Sequence, residues 1–330
     1  WWWGRLTGAA LGLGPADRLY TALPQFHTNA LNSLYQALVY GAGWSFAARF
    51  SASRWWEECA ASGATVVYLL GTMAEILLRR PAGEFNPGHR VRVCLSPGTA
   101  RASVARFAER FGVRIVDGYG STETNLVLSN SLDGDYAPGC MGRVVSRFDV
   151  RVADRHGAAV ADGEAGELLV RAREPFSTAT GYFADPAATA AAWRDGWFHT
   201  GDSVRRDADG LFHFLGRAGD GIRRRGENIS AWEVEQALLE HEGVMEAAVI
   251  GVAAELGEQD VLAWVVPRAG AALSQAALVE FLRPRIAAFA LPRYVAVAER
   301  LPKTGNGKIR KAALREQGRP ADCWDRDAGT

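Results

Sequence analysis

The chain lacks the marks of a secreted, membrane-spanning or zinc-bound protein. Its four cysteines, Cys59, Cys94, Cys140 and Cys323, are scattered through 330 residues and none stands in a C-x-x-C pair. That spacing argues against a zinc site and against a disulfide framework, and a reduced, cytoplasmic setting is the expectation. No apolar run reaches the roughly 18 residues that a membrane helix needs. The start, Trp1-Trp2-Trp3-Gly4, has neither an initiator Met nor the basic region of a signal peptide, so it reads as the interior of a longer protein. Net charge is also missing. Lys+Arg and Asp+Glu both number 37, so no overall field draws the chain to nucleic acid or to an anionic membrane. Internal repeats and low-complexity segments are absent, which excludes solenoid architectures.

What is present describes an ordinary globular protein. Apolar residues make up 48% and charged residues 22%, and the length allows two domains with a substantial core. Residues 1–13 read as the end of an apolar helix, and 19–23 as a strand followed by Pro24-Gln25-Phe26-His27-Thr28-Asn29. Helix and strand then alternate. A helix is expected over 53–61 and a strand over 64–70. The capping-box spacing Thr72-Met73-Ala74-Glu75 opens a helix to Arg80, stopped by Pro81. A strand over 91–95, the loop Ser96-Pro97-Gly98-Thr99-Ala100, a helix over 103–111 and a strand over 113–116 complete the series. This alternation predicts a parallel sheet with helices on both faces, the α/β class, with ligands at the carboxyl ends of the strands.

From Gly139 the texture changes. Short strands over 148–153, 166–171 and 211–215, separated by turns such as His156-Gly157 and Asp209-Gly210, predict a small β-barrel subdomain. Trp193 and Trp197 read as core aromatics. A second capping box, Ser230-Ala231-Trp232-Glu233, opens a helix to about Glu240. Strands over 247–252 and 261–266 and a helix over 276–282 follow, as in a small α+β domain. The polar tail after Leu314 is expected to fray.

The stretch richest in chemistry is Asp117-Gly118-Tyr119-Gly120-Ser121-Thr122-Glu123-Thr124. Glycines let backbone approach a ligand closely. A flat aromatic ring can lie against a base, hydroxyls can hydrogen-bond phosphate oxygens, and a carboxylate can hold Mg²⁺ beside them. A polar turn after a strand is the plain alternative. Arg223-Arg224-Arg225 offers phosphate contacts. Asp202 suits a ribose diol or a turn. Lys303 and Lys308 flank a glycine loop, where lysines are ordinarily solvated. His27 is either a satisfied histidine or a pocket residue.

Four motifs in order tie these stretches together. Asp117 to Thr124 is followed by Gly196-Trp197-Phe198-His199-Thr200-Gly201-Asp202. Gly216-Arg217-Ala218-Gly219-Asp220 comes next with Gly226-Glu227-Asn228-Ile229-Ser230, and Leu301-Pro302-Lys303-Thr304-Gly305-Asn306-Gly307-Lys308-Ile309 closes the series. Over nearly its whole length the chain thereby resembles the acyl-adenylate-forming superfamily of acyl-CoA synthetases, peptide-synthetase adenylation domains and luciferases. The resemblance implies an AMP-binding domain over 1–219, made of an α/β subdomain (1–138) and a β-barrel subdomain (139–217). A lid domain over 220–330 is implied, with its hinge at Asp220.

It also implies roles, residue by residue. Gly98, Thr99, Asp117, Gly118, Tyr119, Gly120, Ser121, Thr122, Asp202, Arg217 and Lys308 contact ATP or AMP. Thr122, Glu123 and Lys308 are catalytic, with Glu123 holding Mg²⁺, and His27 and Gly118 line the acyl pocket. Arg225, Gly226 and Glu227 serve coenzyme A, whose phosphates Arg223 and Arg224 could reach. Gly219 stands where the family commonly has Lys, which makes the junction more flexible. The family's Gly/Ser/Thr-rich phosphate loop has no counterpart here, and Trp1 to Gly14 resembles the helix that follows it. The expected activity is ATP- and Mg²⁺-dependent ligation of a small carboxylic acid to coenzyme A. Within the family, 107–114 and 225–230 look most like the crotonobetaine/carnitine–CoA ligase branch. The rival readings are an adenylation domain serving a carrier protein and a nucleotide-binding remnant without catalysis.

Overall fold

The computed structural model describes residues 1–130, 132, 137–224, 227–254, 258–304 and 307–328, with the side chain of Asn228 outside the description. The chain divides into two units, residues 1–200 with 204–214, and residues 201–203 with 215–330. Among the described residues, no helix is long and apolar enough to cross a membrane.

The first unit is built on a parallel sheet. Strands β1 (Arg18–Thr21), β2 (Gly43–Phe46), β3 (Val66–Tyr68), β4 (Val93–Leu95) and β5 (Arg114–Val116) stand in the order β2-β1-β3-β4-β5. Helices α1 (Trp2–Ala10), α2 (Thr28–Tyr40), α3 (Trp55–Ser62), α4 (Gly71–Leu78) and α5 (Arg101–Phe111) connect and cover it. Val66, Val67, Tyr68, Val93 and Cys94 are fully buried, as strands covered on both faces require. The order reverses at β1, and sheets of this kind bind ligands outside the carboxyl ends of their strands at such a switch point. His27, Gly98 and Asp117 follow β1, β4 and β5 respectively, so all three stand on that edge.

Two local expectations are corrected. Thr72 and Glu75 form no capping box. Helix α4 starts at Gly71 with no side-chain cap, and Glu75 pairs with Arg79 at 3.6 Å. The reason is tertiary: a Cβ on Gly71 would lie 2.4 Å from the Gly98 carbonyl oxygen, so close packing against the Gly98 loop sets the helix start. The stretch after Asp117 is also more than a turn. Strand β6 (Gly118–Ser121) pairs antiparallel with β7 (Asn125–Ser129), leaving Thr122, Glu123 and Thr124 at the hairpin tip. Gly120 is needed there, because a Cβ would stand 2.1 Å from the Asn125 carbonyl oxygen.

Strand β8 (Arg143–Val144) extends the hairpin into a three-stranded sheet. A second sheet contains β9 (Phe148–Ala153), β10 (Ala165–Ala172), β11 (Trp193–Arg194) and β12 (Trp197–Arg206). Its order is β11-β12-β10-β9, with β13 (Phe212–Arg217) also on β12 and α6 (Pro186–Ala192) before β11. Tyr119, Val127 and Leu128 share one core with Phe148, Leu168, Val170 and Phe212, which is the small barrel-like subdomain the turns predict. Trp197 is buried, with the guanidinium groups of Arg151 and Arg171 each 4.6 Å from its ring. Trp193 packs on Phe198 at 4.6 Å.

The second unit is α+β. Strands β14 (Gly221–Arg224) and β15 (Glu227–Ser230) form a hairpin. A sheet orders β16 (Val244–Ala253), β17 (Gln259–Pro267), β18 (Tyr294–Val297) and β19 (Trp324–Asp325) consecutively. The period-2 alternation decides its two faces. Val249, Val261, Ala263 and Val265 pack with α7 (Ala231–Leu239) and α8 (Gln275–Leu282). Ile250, Leu262, Trp264 and Val266 pack with Leu314 of α9 (Lys311–Gln317). Of the expected capping box at Ser230 the N-cap bond forms, its hydroxyl accepting from Glu233 N at 3.2 Å. The tail does not fray at Leu314. Leu314 is 1% exposed, α9 runs to Gln317, and Trp324 packs against the core as β19 pairs with β18.

Arg224 is a further correction. It is not a surface phosphate contact but 3% exposed. Its guanidinium donates to Asp260 Oδ1 at 2.9 Å and to the Phe289 and Leu291 carbonyls at 3.1 Å each. Strand alternation turns Ile222 and Arg224 inward and leaves Arg223 outside.

Candidate functional site

Asp117 organises the edge of the parallel sheet. Its Oδ1 accepts from Gly118 N at 2.7 Å and from Gly98 N at 3.2 Å. One buried carboxylate thus ties together the two loops that follow β4 and β5. Thr99 is also buried, and its hydroxyl donates to Ser96 O and lies 2.9 Å from Ser96 Oγ, so its side chain braces the loop. Tyr119 is 9% exposed and packs in the barrel-like core.

Burial pushes the Asp117 carboxyl up to about 7, against the two amide donors that pull it down. The folded value stands above the ordinary one of 3.8. The group's stabilising contribution is therefore fully present below about pH 4 and lost as pH rises through about 7. Asp117→Asn keeps an acceptor for both amides and removes the titration. The melting temperature of the variant relative to the parent should rise between about pH 5 and about pH 8. A difference that does not change with pH would show that the carboxyl is ionised throughout.

The hairpin tip is held by its own hydroxyls. Ser121 Oγ lies 3.2 Å from Thr124 Oγ1 and accepts from Glu123 N at 3.2 Å. Thr124 is fully buried while Thr122 is exposed. The tip therefore offers the Thr122 hydroxyl and the Glu123 carboxylate. The Tyr182 hydroxyl donates to Glu123 Oε1 at 2.9 Å, a contact no local pattern announces because 59 residues separate the two.

His27 caps α2, its Nδ1 accepting from Asn29 N at 3.2 Å. One turn on, α2 carries a buried polar stripe. Both amide atoms of Asn29, Asn32 Oδ1 and Gln36 Nε2 are buried without a hydrogen-bond partner among the described residues. The spacing 29, 32, 36 puts them on one helix face, a signal the sequence held in its asparagines and glutamine.

In the second unit Asp202 and Arg217 are brought together, Arg217 Nε lying 3.0 Å from Asp202 Oδ1. Asp202 is 6% exposed on β12 and not in a turn. Asp220 closes a short 3₁₀ turn, and its carboxylate pairs with Arg315 and, at 3.5 Å, with Lys311.

The chain has only three lysines, at 303, 308 and 311. Lys303 pairs with Glu246 at 2.7 Å and Lys311 with Glu235 at 2.7 Å. Lys308 is exposed, and among the described residues no carboxylate lies within ion-pair distance of it. Thr304 N donates to Lys308 O at 2.8 Å and Lys308 N to Thr304 Oγ1 at 3.1 Å, which closes the loop around it. Arg225 and Gly226, expected at coenzyme A, lie outside the described residues, as do Gly305 and Asn306. Glu227 is exposed on β15.

Comparison with known proteins adds to this geometry. A family profile for AMP-binding enzymes matches residues 2–183, and one for the AMP-binding enzyme C-terminal domain matches residues 233–308. The chain is 36% identical over 308 residues to a sulfoacetate–CoA ligase of Cupriavidus necator, covering 92% of this chain and 59% of that protein. It is 30% identical over 303 residues to a crotonobetaine/carnitine–CoA ligase of Escherichia coli, covering 91% of this chain and 59% of that one. The structure superposes on ATP-bound MatB from Rhodopseudomonas palustris with a TM-score of 0.83 at 29% identity, over 95% of this chain and 64% of that chain. The chain thus spans about three-fifths of the length of the curated relatives it matches.

Proposed function

The chain belongs to the AMP-binding enzyme family, and from that membership we propose that it carries nucleotide-binding and lid parts of an ATP-dependent acid–CoA ligase. The proposed reaction has two steps. A carboxylate oxygen attacks the α-phosphorus of ATP, the bond to the bridging oxygen breaks, and pyrophosphate leaves. The sulfur of coenzyme A then attacks the acyl carbonyl, AMP departs, and the thiol proton passes to solvent. The first step forces two anions together, so cations must offset their repulsion, a stabilisation worth several kcal/mol in a water-excluded site.

The observation that carries this reading is the β6–β7 hairpin tip, where an exposed hydroxyl and a carboxylate share one tightly closed turn. Its all-oxygen donor set fits magnesium. Among the described residues no group of three or more His, Cys, Asp or Glu could hold a metal, and Mg²⁺ is commonly held by one or two carboxylates plus substrate phosphates and water. Bound there through Glu123, Mg²⁺ would neutralise charge on the phosphates. Thr122 is proposed to hydrogen-bond a phosphate oxygen. Gly98, Thr99 and residues 117–121 would line the adenine and phosphates, with Asp202 and Arg217 on the ribose. Lys308 would sit by the attacking carboxylate and the α-phosphate.

His27, Gly118 and the buried amide of Asn29 are proposed to line the acyl pocket. A buried amide without a partner is costly, which supports a small acid with a polar end, in keeping with the acids named for the relatives. Arg225, Gly226 and Glu227 are assigned to coenzyme A. None of the four cysteines is paired, which favours a reducing, cytoplasmic setting. Acid-dependent pyrophosphate release from ATP, measured with a panel of carboxylic acids, tests the reading. Release with none of them would sink ligase activity for this chain by itself, in favour of an incomplete enzyme or a nucleotide-binding remnant, and would leave the family membership standing. A thioester formed on a carrier protein and not on coenzyme A would favour the adenylation-domain alternative.

The proposed hinge makes a separate prediction. Proline fixes φ, so Asp220→Pro should slow thioester formation about ten-fold more than adenylation. Asp220→Asn, which weakens the pairs to Arg315 and Lys311 without restricting φ, is the control. Equal loss of both half-reactions in the proline variant would count against a hinge at this residue.

A further inference from the structure

We propose that Tyr182 is the positioning residue of the Glu123 carboxylate, and that residues 177–182 form a strap that holds the hairpin tip in its metal-binding geometry. This rests on the reading of Glu123 as the metal carboxylate. Three hydrogen bonds join the strap to the tip. Ala179 N donates to Glu123 O at 2.6 Å. The Asn125 side-chain amide donates to the Ser177 carbonyl. The Tyr182 hydroxyl donates to Glu123 Oε1 at 2.9 Å. The first fixes the backbone of Glu123, the second fixes the turn behind it, and the third fixes the carboxylate itself.

Both partners are anchored on their own sides. Asn125 has a left-handed backbone, φ 63°, a conformation that costs energy for a residue with a Cβ and persists only where the surroundings hold it. Ser177 is fully buried, and its hydroxyl donates to Glu174 O at 2.7 Å. The Tyr182 ring meets Trp193 edge to face at 5.5 Å, and Tyr182 N donates to Thr189 Oγ1 at 2.8 Å in α6. The phenol is therefore presented by a fixed ring and a fixed backbone.

A glutamate side chain has three rotatable bonds, and a partly exposed one samples many rotamers unless something selects among them. A phenolic O–H on one carboxylate oxygen makes that selection. Outer-shell donors of this kind orient metal-binding carboxylates generally. Ring packing and hydrogen bonding are separable at this position, because Phe keeps the contact with Trp193 and loses only the hydroxyl.

The test titrates Mn²⁺ by its electron paramagnetic resonance signal into the whole chain with a non-hydrolysable ATP analogue, for the parent, Tyr182→Phe and Glu123→Gln. The expected result is a rise of about ten-fold in the Mn²⁺ dissociation constant for Tyr182→Phe, with thermal melting and analogue affinity in the absence of metal unchanged. Glu123→Gln should abolish the same metal site. An unchanged Mn²⁺ constant in Tyr182→Phe, with the site lost in Glu123→Gln, overturns the role of Tyr182 and leaves that of Glu123 standing. An unchanged constant in both variants overturns the metal reading of Glu123, and the proposal with it.

Discussion

Lys308→Ala is expected to lower acid-dependent pyrophosphate release by about a thousand-fold, as removal of one preorganised charge-stabilising group does in other active sites. Of the three lysines in the chain, two are engaged, Lys303 with Glu246 and Lys311 with Glu235. Lys308 stands exposed on a closed loop without a carboxylate partner among the described residues. The other 34 of the 37 Lys+Arg side chains are arginine, so no further side chain offers a compact, flexible ammonium. Lys308→Arg should also lose most of the rate, because a planar fork does not replace a point charge between two oxygens. Nucleotide affinity should change far less than the rate in either variant. Retention of more than about a tenth of the parental rate in Lys308→Ala would remove this residue from the chemistry, since the loss would fall short of a charge-stabilising group's contribution.

Asp260→Ala is expected to destabilise the second unit by about 3–5 kcal/mol, the cost of leaving a buried charge without its partner. Asp260 is 4% exposed and bridges two arginines, with Arg224 Nε at 2.9 Å from Oδ1 and Arg293 Nη1 at 2.8 Å from Oδ2. Arg293 continues the network to Asp325 at 3.3 Å on β19. Removing Asp260 takes away the buried carboxylate that faces Arg224 and leaves its bonds to the Phe289 and Leu291 carbonyls in place. Urea or thermal unfolding read at Trp264 or Trp324, both in this unit, gives the measurement. The combined change Arg224→Met with Asp260→Leu should recover much of the loss, because apolar replacement of a buried pair is often neutral or better. A loss below about 1 kcal/mol in Asp260→Ala would mean that water reaches Arg224 and that the pair is effectively exposed.

Much of the first unit was legible from local pattern. Alternating helices and β-branched strands indicate the parallel sheet, and a sheet of that kind puts the loops after β4 and β5 on the ligand edge. The Ser230 cap formed because its two partners are three residues apart, and the same hydroxyl also donates to the Leu215 carbonyl. The Thr72 box has the same spacing and failed, because Gly71 packs against the Gly98 loop and that contact sets the helix start. The tail after Leu314 is polar enough to predict fraying, but Leu314 is buried and Trp324 packs half-buried against the core. A few well-placed apolar residues outweigh the average of a polar segment, since burying one large side chain stabilises by about 1.5–3 kcal/mol.

The sequence by itself determined the chemical inventory: which hydroxyls, carboxylates and lysine are present, in which order, and on which kind of element. These are covalent facts and short-range periodicities, and short-range interactions are enough to read them. Tertiary structure alone decided which of those groups are used up and which remain to act. Arg224 reads like its neighbour Arg223, yet one is in the core against Asp260 and the other is outside. Asp117 reads as one more polar residue of a turn, yet burial holds its proton to about pH 7. Tyr182 belongs to none of the four sequence motifs, yet its hydroxyl meets Glu123. For Arg224 and Tyr182 the deciding partner lies 36 and 59 residues away. Burial and charge pairing depend on which distant segments the fold packs together, and no local pattern carries that information.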